Sequence, residues 1–297
     1  MRAELILKKY GKIVDAALDR FLGKPRFPSV LHKSMRYSLF AGGKRLRPIL
    51  AILTAQACSA PYSRVLPAAC GLEMIHTYSL IHDDLPAMDN DDMRRGIPTC
   101  HVKFGEAAAI LAGDALLTKA FELIALNGRV KGVTPAAAVN AAAEIGAAAG
   151  ADGMVGGQVV DMLFEGRRVT PKELSFIHSH KTGALITASI TAAAMLAGAG
   201  EAKIRHFRGF GEKIGLAFQI ADDILDITGD EKKLGKTKGK DLKAGKATYP
   251  GLFGIEKSRE KAENLVLEAL RISGKIGNNK GVRALSELAR FFVSRTY

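Results

Sequence analysis

The chain has 297 residues, of which 47% are hydrophobic, and its formal net charge at pH 7 is +13. This length is sufficient for a large buried core. The basic residues form no long lysine or arginine tract and do not alternate with aromatic residues in a way that would stack nucleotide bases, which disfavours a nucleic-acid binder. The positive charge alone is compatible with nucleic acid, an anionic membrane or a phosphate-bearing substrate.

Alanine-rich stretches recur along the chain, and tryptophan is absent. Alanine is the strongest helix former, and the alternation of Val, Ile and Thr that is typical of strands is scarce. Glycine and proline separate segments of helix length, which predicts an all-α protein of about ten or more helices. We expect one domain over residues 1–297. The sequence VTPKEL predicts a helix start with Thr170 as N-cap, Pro171 at the first helical position and Glu173 two residues later.

Several features indicate where the protein resides. The cysteines Cys58, Cys70 and Cys100 form no metal-like cluster and suggest free thiols in a reducing compartment. The N-terminal residues mix charge with helical apolar spacing and lack the apolar core of a signal peptide. The uncharged run at residues 182–200 is rich in Ala, Gly, Thr and Ser, which favours a close-packed buried helix over a membrane span. We therefore expect a cytoplasmic protein without a membrane span.

The first unusual cluster is DDLPAMDNDD, which places five aspartates within ten positions, directly before MRRG. A solvated acidic loop is the simplest interpretation. Because Pro86 lies between Asp83 and Asp89, a helix is expected to end or distort there. Such a distortion could bring Asp83, Asp84 and Asp89 around one cation.

The second cluster is FQIADDILDITGD. On a helix, Gln219, Asp222 and Asp226 are spaced i, i+3 and i+7 and share one stripe beside an apolar face. A solvated polar face is again the alternative. Two acidic clusters without histidine or cysteine ligands favour Mg²⁺, with Mn²⁺ as a possibility, because hard cations prefer oxygen ligands.

Six motifs then occur in an order that resembles the all-trans short-chain prenyl diphosphate synthases, and within them the bacterial-type farnesyl diphosphate synthases. The motifs are GGKRLRP, DDLPAMD followed by RRG, GQ with Asp161, KTG, FQIADDILD and GKTKGKDLKAGKATYP. The resemblance extends over residues 33–249, almost the whole chain. Asn90 stands where many members of that family have another aspartate.

The resemblance implies a fold and a reaction. The fold is a bundle of helices around a deep central cavity, usually in a homodimer, with the two aspartate motifs facing each other across the cavity mouth. In the reaction, an allylic diphosphate ionises, isopentenyl diphosphate attacks the allylic cation and a proton is lost. No dedicated protein base is implied, because the departing diphosphate can accept the proton.

The resemblance also implies the site residues. Those for Mg²⁺ are Asp83, Asp84, Asp89, Asp222 and Asp226. Those around the allylic diphosphate are Arg94, Lys181, Lys236 and Lys246, with Thr182 and Gln219 nearby. Those for isopentenyl diphosphate are Lys44, Arg47, His76 and Arg95. The residues expected to be catalytic are Asp83, Asp84, Asp89, Asp222 and Lys181.

Three further features have competing interpretations. Gly42 and Gly43 could form an ordinary turn, but the cations that follow favour an anion site. Gln158 could simply pack, whereas Asp161 one turn later favours a cavity-facing role. The Gly/Lys-rich stretch that carries Lys236 and Lys246 has a solvated charge run as its simplest interpretation, but we expect a loop that closes over bound diphosphate.

Product length in this family is set by the cavity floor, one or two turns before the first aspartate motif. Tyr78 lies five residues before Asp83 and is bulky, with Ser79 beside it, so the expected product is the fifteen-carbon farnesyl diphosphate. The alternatives are a geranylgeranyl diphosphate synthase, a terpene cyclase, a non-catalytic synthase subunit and a nucleic-acid binder. Both aspartate motifs are intact, which disfavours the non-catalytic subunit.

Overall fold

The computed structural model describes residues 3–228 and 246–294. The α-helices of the first range are α1 (Ala3–Leu22), α2 (Ser29–Leu39), α3 (Leu46–Ala57), α4 (Leu66–Asp83), α5 (Cys100–Phe104), α6 (Glu106–Leu126), α7 (Pro135–Ala149), α8 (Met154–Leu163), α9 (Pro171–Ile177), α10 (Ala184–Leu196) and α11 (Glu201–Thr228). Those of the second range are α12 (Tyr249–Phe253), α13 (Ile255–Ile276) and α14 (Lys280–Ser294). The predicted all-α class is confirmed.

The start of α9 forms as the sequence predicts. The Thr170 hydroxyl accepts a hydrogen bond from the Glu173 amide at 3.3 Å, and the Glu173 carboxylate accepts one from the Thr170 amide at 2.7 Å. This capping box satisfies two amide groups that the first helical turn would otherwise leave without partners.

The core is organised around α10, which comes from the uncharged alanine-rich run. Nearly all of its side chains are buried, and it packs against α3, α7 and α11. Small side chains allow these helices to approach closely, and a helix that is apolar on all sides belongs in the interior of a protein. Within the described residues, no helix has the length and apolar character needed to cross a membrane.

A small β-hairpin interrupts the helical architecture. Strands β1 (Met93–Arg94) and β2 (Ile97–Pro98) pair antiparallel, with Arg94 opposite Ile97. The two residues between them, Arg95 and Gly96, both have positive φ, of 54° and 79°. Positive φ at both central positions is the geometry that the shortest hairpins favour. The sequence-based prediction contained no strand, because a two-residue strand has no detectable period.

Helix α4 positions the functional region. It packs extensively against α6, and its C-terminal end lies at the same pocket as α8 and the turn between α9 and α10. That turn, His178–Gly183, is π-helical, a widened geometry that is frequent at functional sites.

Candidate active site

A pocket of about 540 Å³ lies beside the C-terminal half of α4. Its volume is within the range usual for small-molecule sites. One part is apolar and includes Ile110, Met154 and Val159. Seven of the predicted site residues line it: Arg47, His76, Tyr78, Ser79, Asp83, Lys181 and Thr182. The structure therefore brings together residues from three motifs that are separated along the sequence.

Helix α4 ends at Asp83, as the position of Pro86 predicts. The Asp83 carbonyl accepts a hydrogen bond from the Asp89 amide at 2.8 Å, and the Asp84 carbonyl accepts one from the Asp91 amide at 3.1 Å. These bonds fold the acidic segment back over the helix end, so that carboxylates six positions apart in sequence become neighbours.

The carboxylates of this segment are held by cations. Arg94 donates from Nε to both oxygens of Asp84, at 2.8 Å each, and its Nη2 also contacts that carboxylate. Lys246 donates to both oxygens of Asp89, at 2.9 and 3.0 Å. Among the residues that the structure describes, no three Asp, Glu, His or Cys side chains are grouped closely enough to hold a metal ion. Asp84 and Asp89 therefore face cations in this structure. The grouping of these two residues with Asp83 around one ion stays a prediction.

Asp83 has a different environment. The pKa of its carboxyl group is raised to about 6, chiefly by burial and also by the neighbouring Asp89, while Lys181 acts in the opposite direction. Nearby cations thus compensate only part of the cost of removing this carboxylate from water. Together with the oxygen-only chemistry of the two acidic motifs, an under-compensated carboxylate fits a site that receives a hard divalent cation.

A basic group is formed by Arg47 of α3, His76 of α4 and Arg95 of the hairpin turn, and the first two line this pocket. The pKa of Arg47 is lowered to about 10, chiefly by burial and also by the nearby Arg95, while Glu73 acts in the opposite direction. Burial also holds the pKa of His76 well below 6.5, with Arg47 and Arg95 adding to the effect. His76 is therefore neutral at pH 7 beside the buried Arg47 and the half-buried Arg95, which is the electrostatic setting of an anion site.

The glycines that precede this group approach the hairpin closely. Arg95 donates a hydrogen bond to the Gly42 carbonyl. Gly43 has a φ of 120°, and a Cβ atom built on it would lie 2.8 Å from the Arg95 guanidinium carbon. This position therefore requires glycine both for its backbone conformation and for the space that Arg95 occupies.

The two neighbouring cations of the GGKRLRP motif have different environments. Lys44 is exposed, whereas Arg45 is only 4% exposed and has a positive φ of 50°. Arg45 donates to Glu73 at 2.9 Å and to Asp15 at 2.8 Å, so its charge is neutralised inside the fold. Sequence reasoning missed this structural role, because nothing in the motif distinguishes Arg45 from the cations on either side.

The π-helical turn positions Lys181 and Thr182. Lys181 donates to Asp161 at 2.6 Å, and Thr182 donates to the Gln219 side chain at 2.7 Å. Helix α8 approaches this turn backbone to backbone, since a Cβ atom on Gly157 would lie 2.2 Å from the Lys181 amide nitrogen. The turn is thereby fixed between α8 and α11.

The second acidic motif lies on α11, as predicted. Asp222 is half-buried and Asp226 is buried one turn later. The Gln219 amide does not bond along their stripe; it donates to Asp223 at 2.9 Å. Lys236, predicted beside the allylic diphosphate, lies outside the described residues.

Sequence reasoning also missed the roles of Asp223 and His178. The Asp223 carboxylate accepts a hydrogen bond from the Tyr249 amide at 2.8 Å and lies 3.3 Å from His178 Nε2. Burial lowers the pKa of His178 to about 4, so this imidazole is neutral at pH 7. Asp223 thus connects α11 to the π-helical turn and to α12. The only sequence signal was a third aspartate in the motif, one position off the predicted stripe.

Comparison with known proteins decides the family. Residues 28–287 match the polyprenyl synthetase family. The chain belongs to this family. Its membership confirms the predicted resemblance and the prediction of a prenyltransferase.

Individual relatives carry more than one product name. The chain is 48% identical over 261 residues to a farnesyl diphosphate synthase of Geobacillus stearothermophilus. This alignment covers 88% of each of the two proteins. It is 51% identical over 262 residues to the large subunit 1 of a heterodimeric chloroplastic geranylgeranyl pyrophosphate synthase of Arabidopsis thaliana, covering 87% of this chain and 70% of that protein. These names do not distinguish the products.

The fold also matches solved structures of the family. A crystal structure of a farnesyl/geranylfarnesyl diphosphate synthase from Zymomonas mobilis superposes with a TM-score of 0.85 at 34% identity, covering 98% of both chains. The predicted isoprenoid synthase fold is therefore confirmed.

Proposed function

We propose that this polyprenyl synthetase family member joins isopentenyl diphosphate to dimethylallyl and geranyl diphosphates and releases farnesyl diphosphate. The observation that carries the proposal is one pocket lined by an acidic and a basic residue, Asp83 and Lys181, by Arg47 and His76 of the basic group, and by Tyr78. Phosphate-bearing substrates with apolar tails require all three features.

The basic group suits isopentenyl diphosphate. Arg47 remains charged at neutral pH despite its lowered pKa, and a buried guanidinium gains from an anionic partner. Neutral His76 donates or accepts a hydrogen bond without adding charge. Arg95 and the exposed Lys44 complete the proposed set for this substrate.

Three cations whose charges act on Asp83 suit the allylic diphosphate. Arg94, Lys181 and Lys246 are each held by a carboxylate in the structure, so their positions are set before a substrate arrives. A diphosphate that loses its carbon partner gains negative charge, and preorganised cations stabilise that charge where it develops. Thr182 and Gln219 lie one hydrogen bond apart and contribute polar contacts at the same place.

Mg²⁺ is the metal that fits the donor set. Asp83, Asp84 and Asp89 would hold it on one side, with Asp222 and Asp226 on the other, through carboxylate oxygens. When bound, such an ion acts as a Lewis acid toward the leaving diphosphate. The chain's own contribution is to orient both substrates and to keep water away from the reacting carbons through the apolar pocket wall. The departing diphosphate receives the proton.

Tyr78 is the proposed limit on product length. It is 8% exposed, it lies about one and a half turns before Asp83 on α4, and it lines the apolar part of the pocket with Ser79. An isoprenoid tail that extends from the acidic end therefore meets an aromatic ring. A small residue at this place would leave room for a longer tail.

Geranylgeranyl diphosphate is the second candidate product, because a relative that is 51% identical carries that name. We propose a homodimer as well. A groove between α1, α2 and α6 is lined by Leu31, Leu111 and Ala115, and Leu111 is 57% exposed. A second copy of the chain would cover this apolar surface, and light scattering after size exclusion measures the resulting mass.

Product analysis tests the proposed function. The purified protein is incubated with Mg²⁺, dimethylallyl diphosphate and labelled isopentenyl diphosphate, and the dephosphorylated products are separated by chain length. A dominant fifteen-carbon product supports the proposal, and a dominant twenty-carbon product favours the geranylgeranyl alternative. Absence of any elongated product refutes both.

A further inference from the structure

His82 connects the proposed chain-length residue to the neighbouring helix. Its ring lies edge-on to the ring of Tyr78, one helical turn earlier on α4, with 5.5 Å between centroids and an interplanar angle of 85°. On its other side, His82 Nε2 lies 3.1 Å from the Ile110 carbonyl on α6. Because a carbonyl oxygen only accepts, the Nε2 atom donates in this bond.

Gly113 provides the space that the imidazole occupies. A Cβ atom on Gly113 would lie 2.2 Å from His82 Nε2 and 2.6 Å from its Cδ2. Gly113 is in the middle of α6, where glycine is intrinsically unfavourable and φ is not positive. Backbone conformation therefore gives no reason for glycine at this position, and the contact with the histidine ring does.

The Tyr78 ring, the His82 ring and the Ile110 carbonyl contact one another in series beside the pocket. Tyr78, His82 and Ile110 all line the same pocket. An edge-to-face aromatic pair has a preferred geometry, so the orientation of His82 restricts that of Tyr78. Since α4 packs along α6, the position of the His82 ring against Gly113 is coupled to the position of Tyr78.

We propose that His82, seated against Gly113, is a positioning residue that holds the Tyr78 ring across the pocket and thereby limits the length of the product. This inference rests on the proposed function, in which Tyr78 is the barrier. His82 acts through Tyr78 rather than as a second barrier. Without the imidazole, the tyrosine ring can turn into the vacated space and let the isoprenoid tail extend.

Product length in a double-mutant cycle tests this role. His82→Ala is expected to raise the fraction of products longer than the main wild-type product about tenfold. In the Tyr78→Ala background, the same substitution should leave the product distribution unchanged, because the residue through which it acts is absent. No lengthening by His82→Ala alone, or an equal further lengthening in the Tyr78→Ala background, would overturn the inference.

A stability cycle tests the seat without any enzymatic readout. Gly113→Ala should lower Tm, because the new methyl group and the imidazole cannot both be accommodated. In the His82→Ala background, Gly113→Ala should no longer lower Tm and should raise it slightly, since alanine is the better helix former. An equal fall of Tm in both backgrounds would contradict the proposed contact.

Gly146→Ala on α7 is the matched control for the stability cycle. Its Cβ atom would meet only the Phe121 ring, at 3.8 Å, an ordinary contact. Its effect on Tm should therefore be the same with and without His82.

The two proposals fail in different ways. If the unaltered protein forms no elongated diphosphate, the proposed function falls and this inference falls with it. If Tyr78→Ala lengthens the products but His82→Ala does not, only the role of His82 is refuted.

Discussion

Lys246 and Asp89 are joined across 157 positions of sequence by two hydrogen bonds, of 2.9 and 3.0 Å, from one ammonium group. Both side chains are largely shielded from solvent, with exposures of 18% and 22%. The contact links the chain just before α12 to the first acidic motif.

Replacing Lys246 by methionine tests its proposed contact with the allylic diphosphate. Loss of a hydrogen bond to a charged group costs about 1.5–3 kcal/mol, so kcat/KM for the allylic substrate should fall about 10- to 100-fold. Steady-state kinetics with geranyl diphosphate measures the change. Lys257→Met, at an exposed lysine of α13, is the control and should retain normal kinetics.

Asp83→Asn and Asp222→Asn test the two acidic motifs. Each variant keeps the shape of the side chain and removes a charge that the proposed Mg²⁺ site needs. The turnover number should fall about 100- to 1,000-fold, as for the loss of other groups that stabilise a developing charge. Isothermal titration with Mg²⁺ and a non-hydrolysable allylic diphosphate gives a second readout. Asp152→Asn, at an exposed position, serves as the control. Near-normal turnover in either motif variant would contradict the proposal that these aspartates bind Mg²⁺.

Tyr78→Ala should lengthen the product. The substitution removes a buried ring from the pocket wall, and the freed space extends the path of the isoprenoid tail. Chromatography of labelled products should show species longer than the wild-type product. Tyr62→Ala changes a tyrosine that is 38% exposed and outside this pocket, so its products should be unchanged. An unaltered distribution for Tyr78→Ala would exclude Tyr78 as the barrier.

Gly43→Ala should weaken the use of isopentenyl diphosphate. Its Cβ atom would lie 2.8 Å from the Arg95 guanidinium carbon, so Arg95 must move. Gly42→Ala is a matched control, because it carries comparable backbone strain, with φ of 99°, but meets nothing within 4 Å. KM for isopentenyl diphosphate should be about tenfold higher in Gly43→Ala than in Gly42→Ala, the size of one charged hydrogen bond. Equal KM values in the two variants would show that Arg95 does not contribute to the binding of isopentenyl diphosphate.

Glu73→Gln should destabilise the fold. Glu73 and Arg45 are 3% and 4% exposed and lie 2.9 Å apart, and removing one charge leaves the other buried without full compensation. The free energy of unfolding should fall by about 3–5 kcal/mol, as for other broken buried pairs. Glu256→Gln breaks an exposed ion pair with Arg259 and should cost less than about 1 kcal/mol. Urea unfolding monitored by circular dichroism measures both changes.

Local patterns were sufficient to predict much of the architecture. The capping box at Thr170, the end of α4 near Pro86 and the buried character of α10 each depend on a few adjacent residues, and all three predictions are confirmed. Helical periodicity also placed the second acidic motif on one helix, α11. These features depend on interactions within one or two turns, which a sequence displays directly.

The missed features depend on contacts between distant segments. Arg45 is a structural cation because Glu73 and Asp15 approach it from other helices. Asp223 is a connector because the Tyr249 amide and His178 converge on it. The seat of His82 requires a glycine on a different helix. No spacing along the chain encodes such pairs, so only the packed structure reveals them.

The hairpin turn has a mechanical consequence. Arg94 donates hydrogen bonds to the Asp84 carboxylate at the end of α4, and the next residue, Arg95, donates one to the Gly42 carbonyl before α3. One peptide bond thus couples the two regions proposed to receive the two substrates. A small displacement of the hairpin turn moves both guanidinium groups together. Binding of a substrate in one region can therefore affect the other region without any large rearrangement.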